Sequence, residues 1–226
     1  MESLWIETTK NKINLKSLEG NEETEVCVIG GGLFGLTTAY YLTKCGKKVI
    51  VLEKGEIGSK VSGNTTGKIT SQHDLFYAHL IDDYGEEYAK KYLEANEKAI
   101  ENIKQIIKEE QIDCDFSMQK SYVYTTKEDE VLEIQKEVEA VNKLGKNAKF
   151  VDKIDLPIKI KGAIEFEGQA QFHPRKYMLG LANSIEKQNK IYQYTTVTDV
   201  EKNGEKYKVY TDKGSVEAKY IVMASH

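Results

Sequence analysis

The sequence predicts an α/β fold: a parallel sheet with helices packed on it, interrupted by an inserted domain of mixed α+β character. Three observations carry this reading. The apolar run Val26-Cys27-Val28-Ile29 stops at Gly30-Gly31-Gly32, a helical pattern of Leu33, Leu36, Ala39, Tyr40 and Leu42 follows and ends at Gly46, and a second apolar run, Lys48 to Glu53, comes next. A short unbroken apolar run bounded by glycine is the pattern of a strand buried on both faces, and apolar residues three and four apart mark one face of a helix. Strand, helix and strand in this order form a βαβ unit, whose two strands lie parallel.

The remaining elements follow in chain order. Residues 1–24 read as an irregular arm in which Trp5 and Ile6 are the strong apolar pair, docked on the body. Gly55 to Ser71 is rich in Gly, Ser and Thr, too polar for core and too long for a minimal turn, so it is a candidate ligand-contacting loop. Leu75 to Ile112 reads as helix, broken near Tyr84-Gly85, with Tyr92, Asn96, Ala99, Ile103 and Ile106/Ile107 on one stripe. A strand is expected at Ser121 to Thr126, a helix from Lys127 to Leu144 closed by Gly145, and strands at Phe150-Val151 and Ile158 to Phe166. Pro174 sits at a helix-starting position, where its missing N–H costs nothing, and that helix runs to about Lys187. Three β segments end the chain: Ile191 to Glu201, Tyr207 to Thr211, and Ser215 to Ala218 leading into Tyr220 to Ala224. Asn203-Gly204 and Asp212-Lys213-Gly214 mark the turns between them. The expected domains are thus an arm (1–24), a parallel-sheet domain (25–74 and 191–226) and an insertion (75–190).

Composition narrows the function classes. At 226 residues the chain can bury roughly 70% or more of its unfolded surface, so a core forms without staples. Hydrophobic residues are 40%, charged residues 30%, and the net charge of −4 comes from interspersed acids and bases. That balance lacks the basic patch of a nucleic-acid binder. No apolar run reaches the length of a signal peptide core or a membrane helix, so a cytoplasmic protein without membrane contact is expected. Cys27, Cys45 and Cys114 have no paired or metal-type spacing and read as reduced, Cys27 in a strand core and Cys45 at a helix end. No metal site is expected.

The chemistry rests on Gly30-x-Gly32-x-x-Gly35. A diphosphate must come close to main-chain N–H groups, and a side chain at Gly32 would hold the backbone away from it. Gly30 permits the tight turn out of the strand, Gly35 lets the helix lie close on the sheet, and the helix N-terminus offers free donors and about half a positive charge. Glu53 ends the next strand 18 residues after Gly35, where a carboxylate accepts from ribose hydroxyls and repels a 2′-phosphate. The bland alternative for Glu53 is a solvated acid beside Lys54. In the binding role its replacement by alanine is expected to weaken affinity with little effect on folding.

The run from Val26 to Leu36, with Ala39-Tyr40, Leu42, Gly46, Val49 and Val51-Leu52-Glu53-Lys54, resembles the opening of FAD-dependent oxidoreductases of the D-amino-acid oxidase and glycine oxidase type. Gln171-Phe172-His173-Pro174 resembles the segment where that family's chain returns from the substrate domain. Thr196-Val197-Thr198-Asp199-Val200 resembles the strand whose valine backbone holds the adenine, and Tyr220 to Ser225 the strand that ends at the flavin. The resemblance implies an FAD-binding Rossmann-type fold, an inserted substrate-type domain, and oxidation of an amine or amino acid. Cofactor-binding residues carried over are Gly30, Gly32, Leu33, Phe34 and Gly35 at the diphosphate, Glu53 and Lys54 at the second strand's end, Val197 at the adenine, and Ala224 and Ser225, with His226, at the flavin's edge.

Ser3-x-Trp5 and the run Asn64 to His73 resemble a subgroup that carries a C-terminal Rieske iron–sulfur domain. In the family the corresponding loop runs along the diphosphate toward the isoalloxazine ring, which places Thr65, Thr66, Gly67 and Lys68 as donors to phosphate or flavin oxygens. The alternative is a polar surface loop with His73 capping the next helix, and His173 reads as a turn residue. No catalytic side chain is assigned, because the flavin accepts the hydride while the protein orients it. Such enzymes run on well past the last strand seen here, so the chain is expected to be an N-terminal part, inactive alone. A non-catalytic fragment and an NAD-dependent dehydrogenase remain as alternatives, the latter leaving Val197 and the Thr65–Lys68 loop unexplained.

Overall fold

The computed structural model describes residues 3–10 and 13–225. Its elements are α1 (Leu4–Glu7), β1 (Gly20–Ile29), α2 (Leu33–Lys44), β2 (Val49–Leu52), a 3-10 turn (Val61–Asn64), β3 (Lys68–Ile69), α3 (Tyr77–Tyr84), α4 (Glu86–Glu109), β4 (Ser117–Thr125) and α5 (Val131–Lys143). Then follow β5 (Ala148–Val151), β6 (Gly162–Gln171), α6 (Pro174–Glu186), β7 (Lys190–Tyr192), β8 (Val197–Asn203), β9 (Lys206–Thr211) and β10 (Gly214–Met223). The chain divides into two compact units, the first taking the segments up to Thr66, Ile107–Cys114 and from His173 on, the second Gly67–Ile106 and Asp115–Phe172.

The first unit holds a six-stranded sheet in the order β7-β2-β1-β10-β9-β8. Strand β1 pairs in parallel with β2 and β10, and β2 with β7, whereas β8, β9 and β10 form an antiparallel meander. Alternate residues of β1 and β2 face opposite sides of the sheet. Cys27, Ile29, Ile50 and Leu52 pack with Leu18, Val209, Val216 and Ala218 on one side. Val28 and Val51 are also fully buried, which is worth roughly 1.5–3 kcal/mol each and explains why the runs are apolar without alternation. Burial pushes the Cys27 thiol up to about 12, so it stays neutral as a small hydrophobe. Helices α2 and α6 pack against each other.

The second unit centres on β6, which pairs antiparallel with β4 on one edge and with β5 and β3 on the other. Its core includes Tyr77, Leu80, Leu93, Ile134, Val141, Ile164 and Phe166. The buried Glu137 of α5 accepts main-chain N–H donation from Phe76 (2.9 Å), Tyr77 (2.7 Å) and Ala78 (2.7 Å), so a carboxylate supplied by another helix satisfies the first turn of α3.

Several expectations change in detail. The arm contains a one-turn helix and buries Leu15 and Leu18, and β1 begins at Gly20 rather than Glu25. Residues 67–74 group with the second unit, since β3 pairs with β6, and 107–114 and 173–190 group with the first, so the division falls elsewhere than 75–190. The segment expected as one strand from Ile191 breaks at 193–196, where Tyr194 takes φ +48° and the chain turns from a parallel partner, β2, to an antiparallel one, β9. His73 does not cap α3. Its Nδ1 lies 2.9 Å from the Tyr92 hydroxyl, and Glu137 does the capping. The apolar run Tyr220 to Met223 does pair with β1, yet Tyr220 is 52% and Met223 62% exposed, because β9 accompanies β10 only over Ser215–Ala218.

Candidate functional site

The carboxyl ends of β1, β2 and β10 meet the start of α2 in the first unit. Ile29 closes β1, and Gly30 turns the chain at φ +118°, a conformation open to glycine. A Cβ there would stand 2.5 Å from the carbonyl oxygen of Ala224, whose own N–H donates to Ile29 (2.9 Å). Gly32 is the N-cap of α2 with ordinary extended angles, φ −83° and ψ −174°. Gly35, one turn into α2, lies so close to β1 that a Cβ would overlap the Gly30 carbonyl oxygen. The three glycines therefore do different things: Gly30 makes the turn, Gly35 makes the helix–strand contact, and Gly32 opens space.

That space is a crevice of about 440 Å³, within the size range of small-molecule sites. It is lined by Gly30, Gly32, Glu53, Lys54, Val197, Ala224 and Ser225 among the residues singled out from the sequence. A Cβ at Gly32 would meet Ser62 Oγ at 3.2 Å and no other group within 4 Å apart from its chain neighbours. The first-turn N–H groups of α2 have no intrahelical acceptor. One of them, the Leu33 N–H, already donates to Ser62 Oγ, while the missing side chain at Gly32 keeps the space at the start of α2 open, the local feature a dinucleotide diphosphate requires.

Glu53 is 8% exposed and works on both sides. One carboxylate oxygen accepts from the Gly31 N–H (2.7 Å) and the other from the Gly55 N–H (2.8 Å). The carboxylate thus braces the glycine turn and still lines the crevice. The far wall is the irregular stretch after β7. There Thr195 N–H donates to Glu53 O (3.0 Å), Tyr194 N–H to Gly55 O (3.2 Å), and Gln193 Oε1 accepts from the Ile57 N–H (2.7 Å). The remaining wall is Gly58 to Ser62, with Ser62 Oγ accepting from the Leu33 N–H (3.1 Å) and Lys60 exposed, as Lys54 is.

Other sequence candidates lie elsewhere. Leu33 and Phe34 are 38% and 65% exposed on α2 and do not line the crevice. Thr65 and Thr66 are exposed outside it, the Thr65 carbonyl accepting from Trp5 Nε1 (2.7 Å). Gly67 and Lys68 belong to the second unit, where Lys68 opposes Gln171. His173 is the N-cap of α6: its Nδ1 accepts from the Lys176 N–H (3.2 Å), and Nε2 lies 2.9 Å from Thr8 Oγ1. His226 lies outside the described residues. Sequence reasoning included Ser62 only as part of the candidate ligand-contacting loop Gly55 to Ser71 without singling it out, and missed Arg175, which could have been noticed as the only arginine in the chain.

Among the described residues no three His, Cys, Asp or Glu side chains are grouped to hold a metal ion, and no helix is long and apolar enough to cross a membrane.

Comparison with known proteins agrees with this architecture. Residues 25–225 match the family described as FAD dependent oxidoreductase (DAO). The chain is 37% identical over 227 residues to "Putative Rieske 2Fe-2S iron-sulfur protein YhfW" of Bacillus subtilis (strain 168), covering 100% of this chain and 44% of that protein. Among solved structures it resembles L-amino acid deaminase from Proteus myxofaciens in complex with anthranilate, with a TM-score of 0.76, 20% identity, and coverage of 94% of this chain and 48% of that one. Glycine oxidase from Geobacillus kaustophilus gives a TM-score of 0.72 at 19% identity, covering 90% and 55%. The chain spans about half the length of the curated relatives that match most of it.

Proposed function

Since the chain belongs to the FAD dependent oxidoreductase family, we propose that the first unit binds FAD, with its diphosphate at the N-terminus of α2 and its adenosine half between Glu53 and Val197. The whole protein then oxidises an amine or amino acid. The observation that carries this reading is the opening at Gly32, which leaves unfilled space at the start of α2 in a crevice walled by Glu53, Val197 and Ala224. Anions bind such helix starts through both N–H donation and the aligned peptide dipoles. Bound flavin supplies the hydride acceptor, while the chain's own groups hold and orient the cofactor. The relative named for a Rieske 2Fe-2S centre supports passing electrons from the flavin to an iron–sulfur domain.

The direct trial is titration of the purified protein with FAD and, separately, with NAD, followed by absorbance and flavin fluorescence. Saturable FAD binding is expected. Saturation by NAD alone would replace this reading with a nicotinamide one.

Glu53→Ala tests the site from its other side. Hydrogen bonds from ribose hydroxyls to a charged acceptor contribute about 1.5–3 kcal/mol, so without the carboxylate the dissociation constant rises roughly ten- to a hundredfold. The structure adds a second effect. Gly31 and Gly55 N–H lose their buried acceptor, which lowers stability by roughly 3 kcal/mol. A thermal melt beside the titration separates the two, and an unchanged melt would mean that the carboxylate does not brace the turn.

A further inference from the structure

Arg175 stands at the start of α6 and is 2% exposed. A guanidinium taken out of water is tolerated only where its donors are matched. Its Nε donates to Ile57 O (3.3 Å), its Nη1 to Ile6 O (3.3 Å), and its Nη2 pairs with Glu56 Oε2 (2.6 Å). Three acceptors in three directions suit the planar fork of arginine and not the single ammonium of lysine. The first and third acceptors belong to consecutive residues of the crevice loop, and the second to the N-terminal arm.

The other end of that loop is also held by the arm. Ser3 Oγ donates to Gly63 O (2.6 Å) and Trp5 Nε1 to Thr65 O (2.7 Å), while the Trp5 ring stands edge-on to His173 at 4.9 Å. Between these two attachments lie Gly58, Ser59, Lys60, Val61 and Ser62, all lining the crevice. Glu56 reaches across as well. Its Oε1 accepts from the Tyr194 hydroxyl (2.8 Å), and Tyr194 keeps its φ of +48° beside the crevice residues Thr195 and Thr196. A non-glycine residue holds such angles where its surroundings impose them.

We propose that residues 3–9 are a strap that sets the crevice wall, with Arg175 and Glu56 as the positioning residues through which strap docking and dinucleotide binding strengthen each other. This rests on the dinucleotide reading of the crevice. Coupling of two binding events is reciprocal: if the docked strap raises affinity for FAD, FAD must favour the docked strap by the same factor.

The test uses limited trypsin cleavage after Lys10 as the measure of strap release, with FAD titration and a thermal melt on the same samples. In the parent protein, saturating FAD is expected to slow that cleavage about five- to tenfold. Trp5→Phe, which removes the indole donor to Thr65 and leaves a smaller ring against His173, is expected to raise the FAD dissociation constant about fivefold with no loss of melting temperature in the absence of ligand. Glu56→Gln, at a half-exposed side chain the fold tolerates, is expected to speed ligand-free cleavage and abolish the protection by FAD; Arg175→Lys should do both more strongly. A purely structural role would move the melt without moving the ligand-dependent protection. FAD that binds the parent without slowing cleavage, or a Glu56→Gln protein protected like the parent, overturns the proposal. Should the parent bind no FAD, the dinucleotide reading falls and the coupling with it. The ligand-free comparison then still judges the strap, since equal cleavage of parent and Glu56→Gln protein removes it too.

Discussion

Gly32→Val protein is expected to fold like the parent and to lose its affinity for FAD. Valine adopts the angles of this position readily, since φ −83° and ψ −174° lie in the extended region that β-branched residues prefer. Its Cβ would press only on Ser62 Oγ at 3.2 Å, the end of a side chain that can rotate away. Its two methyl groups, however, enter the space in front of α2's first turn. Holding a diphosphate off two charge-assisted N–H contacts forfeits about 1.5–3 kcal/mol for each, so affinity falls at least a hundredfold. Titration with FAD beside a thermal melt reads both quantities. Unaltered binding by Gly32→Val protein would place the diphosphate elsewhere.

Gly35→Ala, three residues along the same helix, is expected to act in the opposite way. In an exposed helix interior this exchange stabilises by about 1 kcal/mol. Here the new methyl would overlap the Gly30 carbonyl oxygen and approach Ala224 Cβ to 3.2 Å. One neighbour is backbone and the other a half-buried methyl beside it, so relief requires α2 to move off β1. Overpacking of this kind costs roughly 3 kcal/mol, which for a chain of this size lowers the melting temperature by roughly 6–12 °C. Binding falls as a consequence, because the turn at Gly30 to Gly32 is displaced. A Gly35→Ala protein that melts with the parent would show that helix and strand are not in contact as described. The pair of substitutions therefore separates a glycine kept for a ligand from a glycine kept for the fold.

The βαβ unit was legible because its signals are local. Apolar runs, helical spacing, a glycine stop and an acid at the end of the second strand all fall within residues 26–53, where neighbours in sequence are neighbours in space. Pro174 and the turns at Asn203-Gly204 and Asp212-Lys213-Gly214 were legible for the same reason, since each restricts its own backbone. The family match over residues 25–225 agrees with what those motifs implied.

What the local signals could not convey was the partner of each polar group. Glu53 reads as a ribose acceptor by position, but that both its oxygens brace the glycine turn depends on where Gly31 and Gly55 N–H point once β1 and β2 lie side by side. Thr65 and Thr66 read as ligand donors from their loop, but that the Thr65 carbonyl is held by Trp5 and that Ser62 lines the crevice depends on how the arm and the loop fold together. The length and apolar character of Tyr220 to Met223 fit a buried strand, but β9 accompanies β10 only as far as Ala218 and leaves Tyr220 and Met223 exposed. Arg175, 119 residues from Glu56 and 169 from Ile6, joins segments that only the folded chain brings together. The sequence by itself determined the βαβ unit, the helix that starts at Pro174 and where the glycine turn lies, because those depend on backbone angles and hydrophobic period. The tertiary structure alone decided which hydrogen-bonding groups are already satisfied and which still face the crevice, because that depends on distances between residues far apart in the chain.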